Sequence, residues 1–183
     1  MKAQLGKIWL VTGGRGTGKT RFCTHLVEKA RQLNLDISGV LSPPVFNGDS
    51  KTGIQIEDLR TGERRLLAVK RIEGSNATST QRWTFDDDVL TWGNTVLADC
   101  VPCQLLIIDE LGTLEFERQS GLLNGFAALD SGRFVSAVVV IRPELVEKAT
   151  LHFQTREVVE IPPDLDAVLE NDLIGKILSS FKY

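Results

Sequence analysis

The sequence predicts a three-layer α/β fold built on a mostly parallel sheet. Short apolar segments alternate with segments of helical period along the 183 residues. Several of the apolar segments are uninterrupted, as are the strands of a parallel sheet covered on both faces. A glycine-rich turn joins the first apolar segment to a helical one, and a pair of carboxylates ends a later one. We expect a single domain over residues 1–183, because this length can bury one substantial core.

The chain begins with a predicted strand, turn and helix in direct succession. Residues 7–12 predict a buried strand, and residues 21–33 have the apolar spacing of a helix. Residues 36–42 predict a second strand, which the prolines at 43 and 44 end. The strand–turn–helix order directs the positive end of the first helix dipole at the turn.

The turn carries a phosphate-binding motif. It fits G-x-x-x-x-G-K-[ST] with Gly13, Gly14, Arg15, Gly16, Thr17, Gly18, Lys19 and Thr20. Glycines let successive backbone N–H groups converge on an anion. Lys19 adds a positive charge near the β- and γ-phosphates, and Thr20 offers a hydroxyl to Mg²⁺. The motif predicts that the chain binds a nucleoside triphosphate and has the P-loop NTPase fold.

An antiparallel hairpin is predicted as an insertion at the sheet edge, over about residues 43–72. Residues 53–59 alternate apolar and polar side chains, residues 60–63 have turn composition, and residues 64–70 predict the partner strand. A small, polar loop is predicted over 73–81 and a helix over 86–100.

Residues 104–110 predict a central strand that ends in Asp109 and Glu110. These acids are expected at the carboxyl edge of the sheet, where open α/β sheets bind ligands. Asp109 fits the acid that organises Mg²⁺ together with Thr20. Glu110 is predicted to orient or deprotonate a water at the γ-phosphate, which favours hydrolysis over transfer to another hydroxyl. Gly112 is also predicted to contact the nucleotide.

The remaining elements continue the alternation. A helix is predicted over 114–129, a buried strand over 133–141, a short helix headed by Pro143, a strand over 157–161 and a C-terminal helix over about 164–181. Core-facing positions of that helix are predicted to be Leu165, Val168, Leu169, Ile177, Leu178 and Phe181. This order completes the three layers.

An arginine is expected to stabilise the charge that develops on the leaving phosphoryl group. Arg142 follows a predicted strand and should lie near Asp109, and Arg15 lies inside the loop itself. Arg118 and Arg156 are less well placed, and an arginine from a partner chain remains an alternative. The predicted catalytic residues are therefore Glu110, Lys19 and Arg142.

Composition limits the class of protein. The 21 basic residues against 24 acidic ones argue against a nucleic-acid coat protein. The sequence has neither an apolar run of membrane-spanning length nor a signal-peptide core in residues 1–6, so a cytoplasmic protein without a membrane partner is expected. Cys100 and Cys103 form a C-x-x-C at an element junction and are interpreted as two reduced thiols, since further zinc ligands with matching spacing are missing.

Two alternatives to hydrolysis stay open. The first is a nucleotide or metabolite kinase whose acceptor site uses the basic residues of the hairpin, namely Arg60, Arg64, Arg65, Lys70 and Arg71. The second is a nucleotide-gated binding module that slow hydrolysis resets for an unknown protein partner.

The sequence has no [NT]-K-x-D after its later strands, so base selectivity is expected to be loose. Trp83, Phe85 and Trp92 are candidates for base stacking or for the core.

These features together resemble the THEP1 family, the cancer-related nucleoside-triphosphatases of the P-loop class. The resemblance rests on residues 13–20, on 38–42, on 53–59 and above all on the Asp-Glu-Leu-Gly-Thr-Leu-Glu run over 109–115. It implies slow, Mg²⁺-dependent hydrolysis of several nucleoside triphosphates with little base preference. It also assigns phosphate and metal roles to Lys19 and Thr20, and metal and water roles to Asp109 and Glu110. This chain departs from the family pattern at Thr113, where Lys is usual, and at 170–172, where Glu-Asn-Asp replaces Asn-Arg-Asp.

Overall fold

A mixed sheet of nine strands forms the middle layer of the computed structural model, which describes residues 6–153 and 156–181. The strands are β1 (Lys7–Thr12), β2 (Ile37–Leu41), β3 (Pro44–Asn47), β4 (Ser50–Asp58), β5 (Arg64–Lys70), β6 (Trp83–Phe85), β7 (Cys103–Leu111), β8 (Phe134–Ile141) and β9 (Arg156–Glu160). Their order in the sheet is β6-β5-β4-β2-β7-β8-β1-β9, and β3 pairs with β4. The expected lack of a signal peptide concerns residues 1–6, which lie almost wholly outside the described residues.

The predicted fold class is confirmed by the strand directions. Five strands run parallel to one another, in the order β2, β7, β8, β1 and β9. Strand β4 pairs antiparallel with β2, on the other side of β2 from β7. Alternate residues of the central strands enter two different cores. Leu106 and Ile108 pack on one face of the sheet, and Leu105 and Ile107 on the other. All four are fully buried, which is why β7 is a continuous apolar run.

Helices cover both faces of the sheet. They are α1 (Lys19–Gln32), α2 (Asp87–Ala98), α3 (Thr113–Arg118), α4 (Asn124–Asp130), α5 (Val146–His152) and α6 (Ala167–Leu178), with short 3₁₀ turns at Pro143–Leu145 and Ser179–Phe181. Helices α1 and α6 supply one core through side chains such as Phe22, Leu26 and Ile177. Helices α2, α4 and α5 supply the other through Leu97 and Leu129, among others. No helix in the described part of the chain is long and apolar enough to cross a membrane.

The antiparallel insertion is larger than the sequence predicted. The prolines at 43 and 44 do end β2, but Pro44 also opens β3, which the sequence analysis missed. Its backbone pairs with β4 from Pro44↔Ile54 to Asn47↔Ser50. A proline fits there because β3 has a neighbour on one side only. The insertion is a four-stranded antiparallel unit: β4 and β5 form the predicted hairpin, β3 pairs with the first part of β4, and β6 pairs with β5.

The predicted helix over 114–129 is wrong, because the segment forms two short helices, α3 and α4. The buried Glu115 carboxylate accepts hydrogen bonds from the N–H groups of Gly112 and Leu122, at 2.7 and 2.8 Å. These bonds fold the chain back on itself after α3, where Gln119 adopts φ 49. A local period of apolar residues cannot reveal such a break.

The C-terminal helix starts later, and faces its core with fewer residues, than the sequence predicted. Asp166 is its N-cap and accepts from the N–H of Leu169 at 2.8 Å. Val168 is 71% exposed and Leu169 43% exposed, so their predicted core positions are wrong. Ile177 and Leu178 are buried as predicted, together with Ile174, and the predicted Leu165 and Phe181 pack against the same core while partly exposed.

Candidate functional site

The glycine-rich loop connects β1 directly to α1, as the motif requires. Lys19 is the first helical residue, and Gly18 precedes it as the N-cap. Gly13 has φ 147, and a Cβ at this position would lie 2.5 Å from the carbonyl oxygen of Ile161. Only glycine fits this approach, because side chains would meet the chain that follows β9. The loop is thereby held against both β1 and the segment before α6.

The Lys19 ammonium lies across the loop. Its Nζ donates to the carbonyl oxygens of Gly13 and Gly14 at 2.7 and 2.8 Å. Partial burial lowers the pKa of Lys19, while the charges of Glu110 and Asp109 oppose that shift. Lys19 thus stands in the field of both predicted acids, although 90 residues separate it from Asp109 in the chain.

Asp109 lies at the end of β7, buried and tied to two other elements. Its Oδ1 lies 3.4 Å from the hydroxyl of Thr20, and its Oδ2 accepts from the N–H of Ser42 at 3.1 Å. Burial raises the pKa of Asp109 to about 6, and the Ser42 bond opposes that rise. The Ser42 hydroxyl also donates to the Asp109 carbonyl oxygen.

Sequence reasoning did not identify Ser42 as a site residue. The available signals were its place as the last residue of the second predicted strand, at the edge where the ligand was expected, and its position in the segment 38–42 that carries the family resemblance. Parallel pairing of β2 with β7, for example Val40 with Ile108, brings Ser42 next to Asp109. The pairing of distant strands therefore adds a residue that holds the carboxylate predicted to organise the metal ion.

Glu110 and Arg142 form an ion pair, with Arg142 Nε donating to Glu110 Oε1 at 2.5 Å. Both side chains are partly buried, at 28% and 29% relative exposure. The pair joins the ends of the neighbouring strands β7 and β8, and the charges of both residues act on Lys19. The structure thus brings together the three residues predicted to be catalytic.

The structure gives less support to the other residues predicted to contact the nucleotide or its phosphates. The backbone N–H of Gly112 is occupied by Glu115 Oε2 at 2.7 Å, so that donor is engaged within the protein. Arg15 is exposed in the middle of the loop. Arg118 donates to the carbonyl oxygen of Ser79 at 2.8 Å, in the insertion. Arg142 is therefore the arginine whose place in the site the structure supports best.

Three arginines of the insertion are engaged with other groups of the protein. Arg60 donates to the carbonyl oxygens of Asp99, Cys100 and Pro102. Arg64 pairs with Glu57 at 2.6 Å and Arg65 with Glu63 at 2.7 Å. The aromatic candidates for base stacking are similarly engaged: Arg65 lies over the Trp92 ring, Lys51 lies near the Trp83 ring, and Phe85 packs on the core.

Cys100 and Cys103 are free, buried thiols, in keeping with the sequence interpretation. Burial raises the pKa of Cys100 to about 11 and that of Cys103 to about 12. Among the residues the structure describes, no cluster of three or more His, Cys, Asp or Glu side chains is arranged to hold a metal ion. Protonated thiols are poor metal ligands and poor nucleophiles.

The Glu-Asn-Asp segment at 170–172 lies alongside α1 rather than above the loop. Glu170 Oε1 lies 3.1 Å from His25 Nδ1, and Lys29 Nζ donates to the side chain of Asn171. His25 and Lys29 are six and ten residues beyond Lys19 on α1. The segment therefore packs α6 against α1, below the phosphate-binding end of that helix.

A family model described as NTPase matches residues 8–163. Among curated relatives, "Nucleoside-triphosphatase THEP1" of Methanosarcina acetivorans is 28% identical over 130 residues, which cover 70% of this chain and 73% of the relative. The protein of the same name from Methanosarcina barkeri is 27% identical over 175 residues, 94% of this chain and 95% of the relative. The relatives carry the family name that the sequence motifs predicted.

Two solved structures share the fold. A human cancer-related nucleoside triphosphatase aligns with a TM-score of 0.69 at 21% identity, over 97% of each chain. THEP1 from Aquifex aeolicus aligns with a TM-score of 0.65 at 18% identity, over 93% of this chain and 98% of the other. At these identities, the alignments support the three-layer architecture.

Proposed function

Because this chain belongs to the NTPase family and is a P-loop nucleoside-triphosphate hydrolase, we propose that it cleaves several nucleoside triphosphates to the diphosphate and phosphate in a Mg²⁺-dependent reaction. One observation carries the proposal most directly. Glu110, the acid adjacent to the metal-organising Asp109, stands at the sheet edge in contact with Arg142. A carboxylate in that position suits the activation of water.

The residues around Asp109 fit a magnesium ion. Mg²⁺ prefers hard oxygen ligands, and it keeps several waters while it binds one or two protein oxygens. The Thr20 hydroxyl and the buried Asp109 carboxylate face each other at 3.4 Å and supply such oxygens. We propose that these two residues hold the ion. When bound, Mg²⁺ neutralises charge on the β- and γ-phosphates.

Side chains and backbone N–H groups of the protein bind the phosphates, activate the water and stabilise the developing charge. Lys19 and the loop N–H groups bind the phosphates at the α1 N-terminus. Glu110 orients a water and accepts its proton as the oxygen attacks the γ-phosphorus, and the bond from that phosphorus to the β–γ bridging oxygen breaks. Arg142 holds the Glu110 carboxylate in place and, like Lys19, supplies positive charge where negative charge develops.

Broad base tolerance is proposed from the contacts that the aromatic rings already make. Trp92 and Trp83 are covered by Arg65 and Lys51, with the cations 4.4 and 5.2 Å from the ring centroids. The sequence has no [NT]-K-x-D motif to read guanine. We therefore propose that binding energy comes from the phosphates, which all nucleoside triphosphates share.

A cytoplasmic location is proposed as well, and cell fractionation tests it.

Phosphate release from ATP, GTP, CTP and UTP, with Mg²⁺ and with excess EDTA, tests the function. We expect release from all four with Mg²⁺ and loss of release with EDTA. Hydrolysis of a single nucleotide would contradict base tolerance, and undiminished release in EDTA would contradict the metal requirement. Transfer that appears only with an added acceptor would indicate the kinase. The engaged arginines of the insertion do not favour that alternative.

A further inference from the structure

The site around Asp109 has two sides that different parts of the chain supply. In the sheet order, β7 lies between β8 and β2. The β8 side delivers Arg142, and β1 beyond it delivers Lys19 through the loop. The β2 side leads into the antiparallel insertion, to which the proposed reaction assigns no residue. A phosphate held at the end of β7 therefore has the insertion as its second wall.

The β3–β4 hairpin rises from the carboxyl edge on that second side. Ser42, which binds Asp109 through its N–H, immediately precedes the hairpin. Strand β4 pairs with β2 only at Val40↔Asp58 and Leu41↔Glu57. The rest of β4 extends past the end of β2 and pairs with β3, where Lys51 stands opposite Phe46. The hairpin thus carries Lys51 beyond the edge where the two acids lie.

Lys51 is exposed on this wall, on the part of β4 that extends beyond the end of β2. Its Nζ lies 5.2 Å from the centroid of the Trp83 ring, which flanks it on the β6 side. The charges that act on it are those of Asp109 and Glu110, which favour its charged form, and of Arg82, which disfavours it. Partial desolvation is the larger effect and lowers the pKa of Lys51. An exposed lysine in the electrostatic field of two carboxylates can bind a phosphate that occupies the site between them.

We propose that Lys51 is a further substrate-binding residue, which contacts the terminal phosphate of the bound nucleoside triphosphate from the side opposite Lys19 and Arg142. The β3–β4 hairpin then forms one wall of the active site, and its Lys51 contributes to the binding of nucleoside triphosphates but not of diphosphates. Lys51 would stabilise the triphosphate and the charge that develops during its cleavage. This inference rests on the proposed function, since it assigns a residue to that same site.

Binding of ADP and of the slowly hydrolysed ATPγS, both with Mg²⁺, tests the inference apart from turnover. The variant is Lys51→Met, and the matched control is Lys70→Met, an exposed lysine on β5 of the same insertion. In Lys51→Met, we expect affinity for ATPγS to fall about tenfold relative to affinity for ADP, because a charge-assisted contact to the third phosphate is lost. Lys70→Met should leave this ratio within about twofold of the wild type.

Two further results decide the matter. Lys51→Arg should restore at least part of the preference for ATPγS, because arginine also binds phosphate. An unchanged ATPγS-to-ADP ratio in Lys51→Met, or an equal loss of both ligands, overturns the inference. If Lys51→Met does not fold, as judged by its thermal transition, Lys51→Gln is tested by the same ratio. Absence of phosphate release by the wild type counts against the proposed function only, since the binding ratio still tests Lys51.

Discussion

Arg142 Nε donates to Glu110 Oε1 at 2.5 Å, which makes the predicted water-activating acid and the predicted charge-stabilising arginine one ion pair. The two residues are 32 positions apart and end neighbouring parallel strands. A charge-assisted hydrogen bond of this kind restricts the orientation of the Glu110 carboxylate more than an unpaired carboxylate would be restricted. The catalytic role proposed for Glu110 therefore depends on β8 as well as on β7.

Glu110→Gln should lower phosphate release at least tenfold, about 1.4 kcal/mol of transition-state stabilisation, with nucleotide binding retained. The amide keeps an oxygen that accepts from Arg142 but cannot take a proton from water. Glu117→Gln is a suitable control, because Glu117 is an exposed acid on α3 paired with Lys148. Steady-state phosphate release with a parallel binding titration makes the measurement. Turnover at the wild-type rate in Glu110→Gln would remove the proposed role.

Arg142→Ala should also lower turnover, and its effect should overlap with that of Glu110→Gln. Residues in direct contact commonly show coupling energies of about 0.5–3 kcal/mol in a double-mutant cycle. We therefore expect the double variant to lose less activity than the product of the two single losses. The cycle is measured on kcat with saturating nucleotide and Mg²⁺. Strict additivity would mean that the ion pair does not matter to the reaction.

Ser42→Ala should weaken Mg²⁺ activation and cost roughly 1 kcal/mol of stability, the usual loss for one hydrogen bond. The substitution removes the hydroxyl bond to the Asp109 carbonyl oxygen but keeps the N–H bond to the carboxylate. Ser179→Ala removes a comparable bond, to the carbonyl oxygen of Lys176, far from the site. Urea unfolding should give similar losses for both. Only Ser42→Ala should require more Mg²⁺ for half-maximal turnover, and equal Mg²⁺ requirements would contradict the role of Ser42.

Cys100 and Cys103 should react slowly with a thiol reagent in the native protein at pH 8. Their pKa values are raised to about 11 and about 12, so the thiolate fraction there is small. Unfolded thiols ionise at lower pH, with a pKa of about 8.5. The unfolded state thus holds fewer protons, and stability should fall as the pH rises from about 8.5 towards 11.

Labelling rates in buffer and in urea measure that difference in reactivity. Cys100→Ala should lose less stability over the alkaline range than the wild type does, because one of the buried thiols with a raised pKa is gone. Rapid labelling of both native thiols at pH 8 would show that burial does not suppress their ionisation.

Gly39→Ala should destabilise the fold by about 3 kcal/mol or more, from backbone strain and overpacking together. Gly39 has φ 104 in β2, and a Cβ there would lie 2.0 Å from the carbonyl oxygen of Ile107 on β7. Gly48→Ala is the matched control, because Gly48 also has positive φ (56) but has no atom within 4 Å of an added Cβ. The control should lose only about 1–2 kcal/mol, the strain of the left-handed conformation alone. Equal unfolding midpoints for the two variants would contradict the close β2–β7 approach.

Local sequence patterns predicted the strands and helices well where the element depends on the residues of that segment alone. Uninterrupted apolar runs identified β7 and β8, whose residues 105–108 and 137–141 are buried throughout. Local signals failed at α3 and α4, because Glu115 interrupts the helix by binding the N–H of Leu122. They failed again at β3, where pairing with β4 makes a strand of a segment that begins with proline.

The phosphate-binding loop over residues 13–20 and the paired acids Asp109 and Glu110 could be recognised from the amino-acid sequence, because each motif lies in one short stretch of chain. Which distant residues contact those motifs could be known only from the folded structure. Ser42 reaches Asp109 across 67 positions of the chain, and Arg142 reaches Glu110 across 32. These contacts follow from which strands pair and in what register, and that choice minimises the free energy of the whole core rather than of any one segment.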